Sequence, residues 1–204
     1  DMASIKAEIQ SEFKNQRDPA AKALAGVKNK KTKAKDNILT GIPGFDEMFG
    51  DGIPQGSSIL VAGGAGSGKT ISCLQLLNYH ASLGHKCFYM SFEESEEKLI
   101  KHMEDFGWNP KKLIKSGKLK VKRYSPFDIT RSVEAMLARE KGELLIDLEP
   151  IIIPKDFKPD ILVLDSLTAI ASAFTGKEDS YRIYIEQLFR FFENLKTTSF
   201  LITE

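Results

Sequence analysis

The run Gly63-Gly64-Ala65-Gly66-Ser67-Gly68-Lys69-Thr70 decides how the rest of the chain reads. It satisfies the Gly-x4-Gly-Lys-Thr pattern of a Walker A loop. Glycines let the backbone bend until successive N–H groups converge on an anion, and they remove the side chains that would hold it off. The helix that follows adds its positive dipole end and its unpaired amides. An apolar strand candidate, Ser58 to Ala62, feeds the glycines, and an apolar helical stretch leaves them at Lys69, which is the strand-loop-helix setting the pattern needs. In that setting Lys69 reaches the β- and γ-phosphates as a compact charge, and the Thr70 hydroxyl coordinates magnesium. The candidate contacts to ATP are Gly63, Gly64, Ala65, Gly66, Ser67, Gly68, Lys69 and Thr70, with Ile71 beside them.

Outward from the loop, short apolar runs alternate with helical periodicity, the pattern of a parallel sheet with crossover helices. The other strand candidates are Lys86 to Phe92, Leu119 to Tyr124, Asp160 to Asp165 and Ser199 to Thr203. Helical spacing fills Lys69 to Leu83, Ser95 to Gly107, Asp128 to Lys141 and Ser180 to Lys196. In the last of these, Ile185, Leu188, Phe189, Phe192 and Leu195 form a stripe that reads as core. The fold class is therefore α/β, with a mainly parallel sheet and helices on both faces. Between Glu143 and Pro159 three prolines interrupt an apolar stretch. An extended insertion near the sheet edge is expected there, since proline cannot pair inside a central strand.

Asp160-Ile-Leu-Val-Leu-Asp165 is an apolar strand ending in a carboxylate, and the C-terminal ends of parallel strands are where ligands meet such sheets. Asp165 is thus a second candidate magnesium residue beside Thr70. Glu93 and Glu94 end another strand on the same side. They suit either the activation of water or the charged start of a helix capped by Ser95. Thr203 sits at the tip of the last strand candidate, where a hydroxyl either reports on the γ-phosphate or simply caps the strand.

Composition narrows the class. The 204 residues are 42% hydrophobic and 28% charged with a formal charge of +1, values ordinary for a globular domain. Neither a disordered nor a disulfide-stapled chain fits them. Cys73 and Cys87, the two cysteines, fall in apolar stretches as free intracellular thiols do, so a cytoplasmic protein is expected. No apolar run approaches a membrane span. Positions 1–38 hold nine basic and five acidic residues, which sets a lysine-rich, helical N-terminal extension and linker apart from a catalytic core at 39–204. That extension reads as the chain's local basic excess. The apolar run reaching Glu204 suggests a core that is incomplete at its C-terminal end.

The stretch Thr40-Gly-Ile-Pro-Gly-Phe-Asp-Glu-Met-Phe-Gly-Asp-Gly-Ile-Pro-Gln-Gly56 ahead of the loop resembles the signature of KaiC-type ATPases, relatives of RecA, RadA and the hexameric helicases. Ser91-Phe-Glu-Glu-Ser95, Phe106-Gly-Trp-Asn-Pro110 with Gly117-Lys-Leu119, Leu164-Asp-Ser-Leu-Thr168 and Ile202-Thr-Glu204 extend the likeness over roughly positions 38 to 204. The resemblance implies a RecA-like P-loop NTPase fold and ATP hydrolysis, with catalytic roles for Lys69, Glu93 and Glu94. It makes Glu93 the base for water and Glu94 its support. It further implies a hexameric homo-oligomer with ATP between subunits, the neighbour supplying basic residues from a segment after the last strand. It does not cover the extension or the proline-broken insertion. A nucleotide-gated scaffold with slow hydrolysis and a self-phosphorylating kinase are the competing readings. A protein partner or DNA is the object such a module would act on.

Overall fold

The computed structural model describes residues 37–131, 153–154 and 156–204. The helices expected in the N-terminal extension, most of the one at 128–141 and most of the 143–159 insertion fall outside the described residues.

Order along the chain begins with a two-residue strand β1 (Asn37–Ile38), helix α1 (Pro43–Phe49) and strand β2 (Ile53–Pro54), which pairs antiparallel with β1. The main body follows: β3 (Ser58–Ala62), α2 (Lys69–Ser82), β4 (Cys87–Ser91), α3 (Glu96–Asp105), α4 (Pro110–Lys115) and β5 (Leu119–Arg123). Residues 126–131 are helical. Then come β6 (Ile161–Asp165), α5 (Leu167–Ala173), α6 (Glu178–Leu195) and β7 (Thr198–Thr203).

Five strands form one sheet in the order β3-β7-β6-β4-β5, and every pairing is parallel. All five residues of β4 and of β6 are buried, as central parallel strands covered on both faces must be. Their alternation sorts them into two cores. Cys87, Tyr89, Ile161, Val163, Phe200 and Ile202 face one way and pack with Leu74 and Leu77 of α2 and Leu99 and Met103 of α3. Phe88, Met90, Leu162, Leu164 and Leu201 face the other way, against Ile170 of α5 and Tyr184, Leu188 and Phe192 of α6. Helices therefore cover both faces, as the sequence pattern predicts. Among the described residues no helix is long and apolar enough to cross a membrane.

Three short helices escape the sequence reading. Pro43 and Pro110 sit in the first turns of α1 and α4, where a missing N–H costs nothing, and Asn109 caps α4 by accepting from the Lys112 N–H at 3.1 Å. Ser166 caps α5, accepting from the Ala169 N–H at 3.1 Å. The apolar stripe of α6 needs one correction. Tyr184, Leu188 and Phe192 are buried four residues apart, whereas Phe189 is 37% exposed because it lies about a quarter turn off that line. In the described part of the insertion, Phe157 is buried edge-on against Phe88 of β4.

Candidate functional site

Register brings the site together. Ala62 pairs with Thr203, Ile202 with Asp165, and Asp165 with Ser91, so the C-terminal ends of β3, β7, β6 and β4 finish at one level. Every candidate site residue lies on that edge or in the segments leaving it.

From β3 the chain enters the glycine-rich loop. Gly66 and Gly68 take φ of 76° and 85°, a left-handed backbone that glycine adopts without strain, and a Cβ added at either would meet open space. Ser67 N–H donates to the Gly64 carbonyl at 3.3 Å. The Lys69 ammonium folds back to donate to the carbonyls of Gly63 and, at 2.8 Å, of Gly64. Its charge thus already hangs over the mouth of the loop. Ala65 is exposed at the tip, while Ile71 turns its side chain into the first core. A cleft of about 300 Å³ lies next to the loop, but its lining is mostly apolar (Phe45, Ile59, Val61, Leu76), so it is no place for phosphates.

Thr70 Oγ1 donates to Asp165 Oδ2 at 3.0 Å, joining the first turn of α2 to the end of β6. The Tyr89 hydroxyl, buried in β4, donates to the same oxygen. Burial pushes the Asp165 carboxyl above the usual carboxylate range. The Tyr89 and Thr70 hydroxyls pull it back down, and Glu93 and Glu94 push it up again. The Tyr89 hydroxyl is itself raised well above its ordinary value, by burial first and by the Asp165 charge second. Among the described residues no group of three His, Cys, Asp or Glu side chains gathers as a metal cage. One hydroxyl and one carboxylate are the sparse, hard-oxygen set with which proteins share a magnesium ion with phosphates, so the residues present fit that ion.

The two glutamates separate in space. Glu93 is exposed, and its Oε1 accepts from the Ser166 hydroxyl, so the residue that caps α5 also aims a carboxylate. Glu94 turns the other way, accepting from His102 Nε2 at 3.1 Å with the Lys98 ammonium at 3.5 Å. Beneath both, the buried Ser91 hydroxyl accepts from the Glu94 N–H at 2.9 Å and donates to the Glu94 carbonyl at 2.8 Å, which fixes the turn after β4. Ser95 caps α3. Helix start and carboxylate pair therefore coexist. At the tip of β7, Thr203 Oγ1 lies 3.3 Å from Thr168 Oγ1, and Thr168 also accepts from the Glu204 N–H at 3.0 Å.

Sequence reasoning missed Tyr89, Ser166, Thr168 and His102. Ser166 and Thr168 were inside a quoted motif, next to Asp165, and proximity was their available signal. Tyr89 had none, since an aromatic residue in a central strand reads as core until the strand register is known.

Comparison with known proteins follows the same outline. The model of the family described as "ATPase: KaiC" matches residues 38–204. The circadian clock protein KaiC3 of Synechocystis is 31% identical over 162 residues, covering 79% of this chain and 29% of that protein. The circadian clock oscillator protein KaiC of Thermosynechococcus vestitus is 30% identical over 194 residues, or 93% of this chain and 34% of that protein. The chain thus spans about a third of these curated relatives. Among solved structures, a KaiC-like protein of the archaeon Pyrococcus horikoshii superposes with a TM-score of 0.65 at 27% identity, covering 82% of this chain and 70% of that one.

Proposed function

The chain belongs to the KaiC family of RecA-type ATPases, and from that premise we propose that it binds ATP with magnesium and hydrolyses the anhydride bond between the β- and γ-phosphates, releasing ADP and phosphate. The observation that carries the reading is the 3.0 Å contact between Thr70 and Asp165 beside a glycine loop already crossed by the Lys69 ammonium. The loop amides from Gly63 to Thr70, with Ile71 behind them, take the phosphate tail, and Lys69 swings from its carbonyl partners onto the β- and γ-oxygens. Thr70 and Asp165 hold the magnesium, which supplies neutralising charge to those oxygens when bound. Glu93 accepts the proton of the attacking water while the Ser166 hydroxyl keeps its carboxylate aimed. Glu94, tied to His102 and Lys98, supports the turn that carries Glu93. Thr203, from the adjacent strand tip, senses the γ-phosphate.

The same reading places the working protein in the cytoplasm as a homo-oligomeric ring of six, with ATP between neighbours and a protein or nucleic-acid partner driven by turnover. Its support is the family resemblance and the exposure of Glu93 on the open edge of the site. Replacing Glu93 by Gln tests the chemistry. Phosphate release is expected to fall about 10²-fold or more, the usual contribution of a general base, while ATP affinity stays within a few-fold. Undiminished release by that variant contradicts the assignment.

One observation favours a second reading, a nucleotide-gated scaffold with slow hydrolysis. The Lys69 ammonium is already engaged by the carbonyls of Gly63 and Gly64, so it must leave both partners before it can reach the phosphates. Single-turnover release measured beside assembly in ATP and in ADP separates the two, slow release with strongly nucleotide-dependent assembly favouring the switch.

A further inference from the structure

Residues 110–123 carry Lys111, Lys112, Lys115, Lys118, Lys120, Lys122 and Arg123 with no acidic residue among them. The N-terminal extension is therefore not the chain's sole basic excess, as its composition had suggested. Helical and strand periodicity decide where these charges go. Pro110 is buried and Leu113 packs on the first core, which leaves Lys111, Lys112 and Lys115 exposed on the outside of α4. On β5, Leu119 and Val121 face that same core, so Lys120 and Lys122 emerge on the opposite side of the sheet. Among the described residues β5 pairs with β4 alone, and the charges line both sides of that strand.

Aromatic rings hold several of these lysines in place. The Lys120 ammonium lies 5.0 Å from the centroid of Phe157, and Lys86 shares that ring at 5.8 Å. Lys122 lies 5.1 Å from the ring of Tyr124. Acidic groups nearby are few. Lys111 pairs with Glu104 at 2.8 Å, and among the described residues it is the one member of the group with a carboxylate at ion-pair distance. Glu96 accepts from the backbone N–H of Arg123, Asp160 from that of Lys86, and Asp128 sits beside Arg131. Several cations on one edge, two of them on one ring, repel one another until a polyanion neutralises them.

We infer that the α4–β5 edge docks the phosphate backbone of duplex DNA. A protein partner is disfavoured by composition. Protein interfaces are built round an apolar core and are poor in lysine, and the one large apolar side chain exposed on this stretch is Ile114, at 37%. Nucleic-acid interfaces are polar and strongly positive, and lysine meets phosphate as a point charge. An unpaired strand would need open rings for its bases to stack on. Within the 110–123 stretch there is no aromatic residue, Phe157 is buried and Tyr124 lies under Lys122, while the exposed rings of Phe106 and Phe127 flank the stretch outside it, so the charged residues themselves carry no stacking platform. The docking is accordingly independent of sequence. Among the described strands β5 and β3 are the outermost, four strand spacings or roughly 19 Å apart, so this surface is separable from the phosphate loop and stands whether or not the chain hydrolyses ATP.

The test uses the full 204-residue chain and a fluorescent 30-base-pair duplex of arbitrary sequence, with anisotropy read from about 50 to 200 mM salt. The edge variant carries Lys112→Ala, Lys115→Ala, Lys120→Ala and Lys122→Ala. A comparison variant carries Lys28→Ala, Lys30→Ala, Lys31→Ala and Lys33→Ala. Wild type is expected to bind with steep salt dependence. The edge variant should lose about tenfold or more in affinity, and its log–log salt slope should become shallower by roughly 3 to 4, near 0.9 per removed contact. Binding of Mg-ATP should not change. If the edge variant melts early, the α4 pair alone, Lys112→Ala with Lys115→Ala, should show about half the change in slope. The proposal is overturned if duplex affinity follows the N-terminal lysines instead. It is also overturned if a single-stranded 30-mer or a polyglutamate chain binds this edge more tightly than the duplex, or if no salt-dependent duplex binding is found.

Discussion

Polar groups are buried differently at the edge of the sheet and in the helical layers. At the C-terminal edge of the sheet, Tyr89, Thr70 and Asp165 are interlocked, so the buried hydroxyls have partners while the carboxyl they share is pushed toward its neutral form. In the helical layers, His80 of α2 donates from Nε2 to the Leu39 carbonyl at 2.7 Å, while its Nδ1 and the buried Tyr184 hydroxyl of α6 have no partner among the described residues. The first arrangement spends hydrogen bonds on holding a charge where the fold alone would not keep it. The second leaves stray polar atoms beside good packing.

Replacing Asp165 by Asn probes that comparison hardest. If the carboxylate serves the metal, turnover should fall about 10³-fold, the scale on which groups aimed at transition-state charge act. The fold should meanwhile keep its stability or gain on the order of 1 kcal/mol, because a charge disfavoured by burial has gone. Denaturant melts beside phosphate release check both halves. A loss of more than about 1 kcal/mol would mean that the charge holds the fold.

His80 gives a smaller, pH-dependent effect. Burial lowers its pKa, the Leu39 carbonyl opposes that shift, His85 adds to it and Asp46 opposes it. The unfolded chain therefore takes up the proton first as pH falls below about 6.5, and stability drops from there until the folded imidazole is protonated as well. One proton bounds the slope at about 1.4 kcal/mol per pH unit. Urea midpoints from pH 7.5 to 5 should show wild type losing ground on His80→Gln, which keeps a donor for Leu39 and does not titrate. Parallel curves would remove His80 from the account. Smallest of all, Tyr184→Phe deletes a hydroxyl with no partner among the described residues and should be neutral or stabilising by up to about 1 kcal/mol in a thermal melt. A clear loss would reveal a partner for that oxygen.

Much of the fold was legible because its signals are local and long enough. The strand into the loop, Ser58–Ala62, and the helix starting at Lys69 stand where the sequence predicts them, and β4, β5, β6 and β7 agree to within a residue at either end. Helices α1, α4 and α5 run to six or seven residues, less than two turns, so no periodicity could show them. Asn109-Pro110 nevertheless carried a cap and a first-turn proline that reading for helix starts could have used. Of the site, the loop and Asp165 were readable because a phosphate and a strand-end carboxylate impose residue types on neighbouring positions. Tyr89 and the Ser166–Glu93 contact were not, since they join different strands and depend on the pairing of Ser91 with Asp165. The parting of Glu93 from Glu94 was also invisible, because it follows from His102 eight residues on.

In the proposed function the Gly63–Thr70 loop and its carboxylate neighbour Asp165 capture a magnesium-bound triphosphate. Calorimetric titration of a non-hydrolysable ATP analogue, with and without magnesium, into wild type and Lys69→Ala addresses it directly. Binding by wild type should require magnesium and weaken about tenfold or more in the variant, in keeping with the loss of a charge-assisted contact. Equal affinity in the folded variant, or wild-type affinity indifferent to magnesium, would contradict it.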